Sequence, residues 1–332
     1  MSVNAAVINQ QTLMQQFVTQ QSTEQAASTT GDSSNPPSQV QLLSDINEAA
    51  YEMFLSFCAI TNTKDGSHPL PEEMYPLADS ITNFVNLCNE YDNAGYQPPL
   101  NEPDNNNSEI NETYQLYTIL TTPMIAVGGS STLLSPYEVS ENIMNPPSGT
   151  TSEEWEDTLA STYHPGDPDS NSALWNACEI LNSLEGHHAP EPFTGTLSTA
   201  VSALQATWNS IENGPGTIDP SNPNNILPQL ASEIVAVNTD LTDLSQPASA
   251  SNPTGQGYLT ANEQMLYDVL NAPLQGQFGA TLASSATALV QNPGSQADLD
   301  TFANIVANDN YYVATVLNVC TSSNPQIYNY QS

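Results

Sequence analysis

An all-α architecture, a multi-helix bundle of antiparallel amphipathic helices behind a disordered polar tail, is predicted by three observations. Apolar residues recur at alternating spacings of three and four, Pro and Gly punctuate the ends of those stretches, and alternating strand patterns are nearly absent. The stripe Leu43, Ile46, Ala50, Met53, Phe57, Ile60 is spaced 3-4-3-4-3. Met74, Leu77, Ile81, Phe84, Cys88 and Tyr91 repeat the spacing after Pro71-Glu72-Glu73 and stop before Gly95, as helix start and stop signals require. Leu197, Val201, Leu204, Trp208 and Ile211 form a third stripe, and Leu227, Leu230, Ile234, Val237, Leu241 and Leu244 a fourth.

A fifth stripe, Leu299, Phe302, Val306, Asp309, Val313, Val316 and Cys320, carries one carboxylate inside it. Asp309 sits in Asn308-Asp309-Asn310, where a break between two shorter helices is the simpler expectation and a buried register-fixing polar residue the sharper one. Weaker helical stretches are expected over Ile110–Leu120, Pro136–Met144, Glu153–Ser161, Ser172–Leu184, Tyr258–Leu270 and Gly279–Val290. Each stripe lasts two or three heptads. That is too short for an autonomous coiled coil, so the helices must pack their stripes into shared cores. The richest break, Asn145–Ser152, is the expected boundary between an N-terminal helical domain (38–145) and a C-terminal one (151–332), with 1–37 as a flexible polar tail.

Composition excludes whole classes of function. The 332 residues hold 36 Asp and Glu against a single Lys or Arg, for a net charge of -35, yet charged residues make up only 11% of the chain. An ordinary domain carries about 25%. The imbalance therefore comes from missing bases, and Asn, Gln, Ser and Thr fill the surface in place of ion pairs. Nucleic acids and anionic membranes are excluded as direct partners, because affinity for phosphate needs a basic face. Nucleotide and phosphoryl chemistry are excluded with them, since no phosphate-binding lysine or arginine finger is available. No cofactor is expected. Lys64 lies in a polar connector between two helices and has no evident pairing role. Growth in acid also suits a base-poor chain, although Asp167-Pro168 and Asp219-Pro220 are bonds of an acid-labile type. Crowded carboxylates predict that stability rises from about pH 8 toward about pH 5.

Cys58, Cys88, Cys178 and Cys320 are widely spaced, without a C-x-x-C pair. Buried thiols within helices are the simpler expectation, ahead of disulfides, and zinc is not indicated. The longest apolar stretch, Ile119–Val127, is half a bilayer span and contains Pro123. The uncharged, Ser/Thr/Gln-rich amino terminus lacks a basic n-region and a continuous apolar core, so export without a Sec-type signal is expected. In composition, over its first 30 or so residues, it resembles the export segments of bacterial type III secretion substrates, which implies secretion and a place in virulence.

Candidate sites are few. Glu185, His187, His188 and Glu191 form the sharpest cluster of metal-ligating types, although adjacent histidines do not share a helical face, and the simpler reading is a helix C-terminus capped by imidazole. Asp167, Asp169 and Asn171 imitate the first three ligands of a calcium loop, but Ser172 and Cys178 stand where Gly and Glu are needed. Glu102–Glu112 fails similarly. Glu153, Glu154, Glu156 and Asp157 open a helix whose Trp155 and Leu159 face inward, which predicts a solvated acidic face. No nucleophile pattern occurs, and no catalytic residue is assigned. The expectation is a non-enzymatic exported protein acting through protein contacts, by self-assembly or on another protein. The alternatives are a carboxylate-based hydrolase of an acidic environment and a divalent-cation-dependent surface protein.

Overall fold

The computed structural model describes residues 37–62, 73–104, 108–126, 133–163, 173–184, 192–213, 216–250, 252–273, 280–323 and 325. Lys64 and all but the last residue of the expected tail lie outside them. Eleven helices and one two-residue ribbon lie among the described residues, so the all-α expectation is met. In chain order these are α1 (Gln39–Asn62), α2 (Met74–Asn93), α3 (Ser108–Thr121), β1 (Ile125–Ala126), β2 (Leu133–Leu134), α4 (Pro136–Met144), α5 (Ser152–Ala160), α6 (Ala173–Leu184), α7 (Gly195–Asn213), α8 (Leu227–Ser245), α9 (Ala261–Asn271), α10 (Leu282–Gln291) and α11 (Gln296–Thr321). β1 and β2 pair antiparallel, with Ile125 opposite Leu134 and Ala126 opposite Leu133.

The counted stripes are the buried faces. Met74, Leu77, Ile81, Phe84, Cys88 and Tyr91 of α2 are all buried, as are Leu227, Leu230, Ile234, Val237 and Leu241 of α8. α1 departs from this pattern. From Ala49 to Thr61 every residue is buried, because α2, α6, α9 and α11 all pack against that helix. The run Tyr51-Glu52-Met53-Phe54-Leu55-Ser56-Phe57-Cys58-Ala59-Ile60 is apolar on nearly every face, which suits a central helix rather than a surface one.

α11 corrects the expected break at Asn308-Asp309-Asn310: one helix of 26 residues runs through it. Neighbours explain the continuity, since α11 packs against α1, α7, α8, α9 and α10, and tertiary burial on both sides of the Asn-Asp-Asn triplet outweighs its weak local helix preference. The side chain of Asp309 lies outside the described residues.

Hydrogen bonds of uncharged side chains do much of the cross-helix polar linking. Gln205 Nε2 on α7 donates to Asn318 Oδ1 (2.9 Å) and Thr321 Oγ1 (3.0 Å) on α11. Asn271 of α9 donates to Asn238 of α8 at 2.7 Å, and the Tyr117 hydroxyl of α3 donates to Asn89 of α2 at 2.7 Å. The described residues contain no Lys, Arg or His, so among them no ion pair between side chains is available. Packing and amide bonds carry the assembly.

Carboxylates occupy several helix starts, where they face free backbone amides. Glu138 and Glu154 close capping boxes with Ser135 and Thr151, and Asp298 lies in the first turn of α11 behind Ser295. Glu73 does not behave this way. It is the residue before α2, makes no side-chain cap and is buried. Between α8 and α9 the chain doubles back so that Gln256 and Gly257 both donate to the Leu244 carbonyl oxygen, at 2.9 and 3.0 Å. A Cβ at Gly255 would stand 2.3 Å from the Gln246 carbonyl oxygen, so only glycine allows this close backbone approach.

All four cysteines are buried and none is in a disulfide. Burial raises the thiol pKa of Cys88 and Cys320, and pushes Cys178 up to about 12, with the neighbouring Glu179 charge a smaller cause. In a thiol titration at about pH 8 the native chain should therefore react negligibly and the denatured chain should yield four equivalents. Prompt reaction of the native chain would contradict this burial.

Candidate functional site: a buried carboxyl cluster

Three acids from three mutually packed helices meet in the core. Glu52 of α1, Asp79 of α2 and Asp268 of α9 place one carboxylate oxygen each within 4.8 Å of one another. Glu52 is 2% exposed and Asp268 is 6% exposed, while Asp79 is half-buried. Each sits in a largely apolar stretch: Tyr51-Glu52-Met53-Phe54 on α1, Leu77-Ala78-Asp79-Ser80-Ile81 on α2 and Leu266-Tyr267-Asp268-Val269 on α9. Burying those apolar neighbours carries the carboxyls inward with them.

Local contacts hold the geometry. Glu48, one turn before Glu52, accepts a hydrogen bond from the backbone N–H of Ala261 at the start of α9, which ties α9 to α1. Asp268 Oδ1 accepts from Gln264 Nε2 at 2.8 Å, one turn earlier on the same helix. No N–H or hydroxyl donor reaches Glu52 Oε1 or Asp268 Oδ2. A neighbouring carboxyl that holds a proton, a water molecule or a cation can satisfy those oxygens.

The electrostatics follow from burial. Desolvation raises the Glu52 carboxyl well above its ordinary range, and the charges of Asp268 and Asp79 raise it further. Asp268 is likewise raised well above the usual range by desolvation, then by Asp79, against a lowering contribution from Gln264. Asp79 is raised by desolvation. Tyr75, one turn before Asp79, is pushed up to about 12 by burial and then by the charges of Asp268, Asp79 and Glu156. This is an enclosed group of like charges, suited to binding protons or a cation and too tight to admit a bulky substrate between its members.

The three carboxyls are not among the sequence-derived candidates. Glu185, His187, His188 and Glu191 lie outside the described residues, as do Asp167, Asp169 and Asn171. Glu153, Glu154 and Asp157 are exposed as expected, but Glu156 is buried and corrects the solvated-face reading. It lies one turn before Leu159, on the inward side of α5, which packs against α2 and α4. Sequence patterning does not single out Glu52, Asp79 or Asp268. Their only local signal is a lone acid inside an apolar helical run. Comparison with known protein families, characterised proteins and solved structures finds no match to this chain.

Proposed function

We propose that this chain is an exported, non-enzymatic helical protein that acts through contacts with other proteins, either by self-assembly or on a host-side target. One observation carries the reading: a large helical body is assembled without any cationic side chain among its described residues. That body offers no basic groups for phosphate, nucleotide or nucleic acid, and presents amides, hydroxyls and carboxylates to its surroundings. The most concrete version is a secretion-system tip, filament, translocator-associated or effector protein whose first 37 or so residues guide export. No described helix is long and apolar enough to cross a membrane.

The hydrolase reading asks for two carboxyls flanking a bond that substrate can reach, about 5 Å or more apart. Enclosure of both Glu52 and Asp268 argues against it. Light scattering on the full chain tests the proposal, with self-assembly expected as a mass above the 35.5 kDa of one copy. A monomer directs the search to a target protein. Turnover of glycosidic or peptide substrates that disappears in Glu52→Gln would overturn the non-enzymatic reading.

A further inference from the structure

We propose that Glu52, Asp79 and Asp268 form a binding site for one hard divalent cation of calcium's size, which ties α1, α2 and α9 together. The site stands independently of the proposed function. Its donors are carboxylate oxygens alone, a set that selects calcium, magnesium or manganese over the softer metals that favour imidazole and thiolate. For three oxygens no more than 4.8 Å apart, the point that serves all of them lies at most about 2.8 Å from each, so a small inward movement of the side chains brings them to the roughly 2.3–2.6 Å of calcium–oxygen bonds. Magnesium, with bonds of about 2.1 Å and a strict octahedron, is served less well.

The independent pointer to a ligand is the pair of orphaned oxygens. Glu52 Oε1 and Asp268 Oδ2 are buried and meet no N–H or hydroxyl donor among the described residues; inside the group the contacts run carboxyl to carboxyl, from Glu52 to Asp268 and from Asp79 to Asp268. A buried acceptor without a partner is costly, and a buried carboxylate more so. In most proteins such a group is answered by Lys, Arg or His, and the described residues have none. A cation from solution supplies the missing charge. Gln264 holds Asp268 through its other oxygen, as an outer partner that orients a ligand. Half-buried Asp79 is the member nearest solvent and marks the side of entry.

The test uses the full chain, stripped with a chelator and titrated calorimetrically with CaCl2 in about 0.15 M KCl to suppress diffuse binding by surface acids. One saturable site per chain is expected, together with a higher melting temperature in calcium than in chelator, and weaker binding of MgCl2. Glu52→Gln, Asp79→Asn and Asp268→Asn should each weaken calcium binding by about 100-fold or more. Asp79→Asn changes the half-exposed member, so it remains informative if either buried variant misfolds. Absence of saturable calcium binding would overturn the proposal and leave the carboxyls held by shared protons only. Saturable binding that survives all three substitutions would overturn it too, by assigning the ion to surface carboxylates.

Discussion

Melting temperatures of the full chain in chelator are expected to rise as the pH is lowered from about 8 to about 5. Asp45, Glu52, Asp79 and Asp268 are all raised above their ordinary values, with desolvation the largest cause in each. A group with a folded pKa above its unfolded one binds more protons in the folded state at intermediate pH. Its contribution is therefore fully present below the unfolded pKa and is lost as the pH rises through the folded pKa. Asp219, lowered by its hydrogen bonds with Ser221, has the opposite sign but is fully exposed. Glu48 from α1, Tyr75 from α2 and Cys320 from α11 interact with the cluster, Glu156 from α5 and Tyr267 from α9 interact with Tyr75 beside it, and these add no positive charge. In chelator, Glu52→Gln should favour the fold more at alkaline than at acid pH, by on the order of 1–3 kcal/mol, since the amide cannot take on the negative charge that burial disfavours. The same substitution should flatten the pH dependence. Melts that fall steadily toward pH 5 would refute this account.

Trp208→Ala should cost about 3–5 kcal/mol of unfolding free energy, read from the midpoint of urea denaturation. Trp208 is fully buried on α7, among the largest side chains of the core, and α7 packs against α8 and α11. Removing the indole deletes buried apolar area and leaves a cavity that two long neighbouring helices cannot readily close. Nor can a nearby ion pair offset the loss, because the described residues contain no basic side chain. Trp208→Phe should cost clearly less, since it retains an aromatic ring in the same space. A loss below about 1 kcal/mol for Trp208→Ala would show that this part of the core is loosely packed.

Legibility follows the range of each interaction. Helix periodicity is local, so the stripes of α2 and α8 can be counted directly, and the Ser135–Glu138 and Thr151–Glu154 caps lie within one turn. The expected helices at Pro136–Met144 and Ser172–Leu184 are α4 and α6, with those limits to within a residue. The continuity of α11 through Asn308-Asp309-Asn310 is not legible, because partners far away in the chain support it. Glu156 escapes for a related reason: its acidic neighbours suggest solvent, while packing against α2 and α4 turns it inward.

Periodicity and charge are properties of a chain read a few residues at a time, so a helical protein almost devoid of bases is already written in the order of its residues. That Glu52, Asp79 and Asp268 share one buried space is a property of the packed molecule. Glu52 and Asp268 belong to opposite halves of the chain. No local pattern encodes which helices become neighbours, so three carboxyls that look unrelated in sequence become a single electrostatic unit only when α1, α2 and α9 pack together.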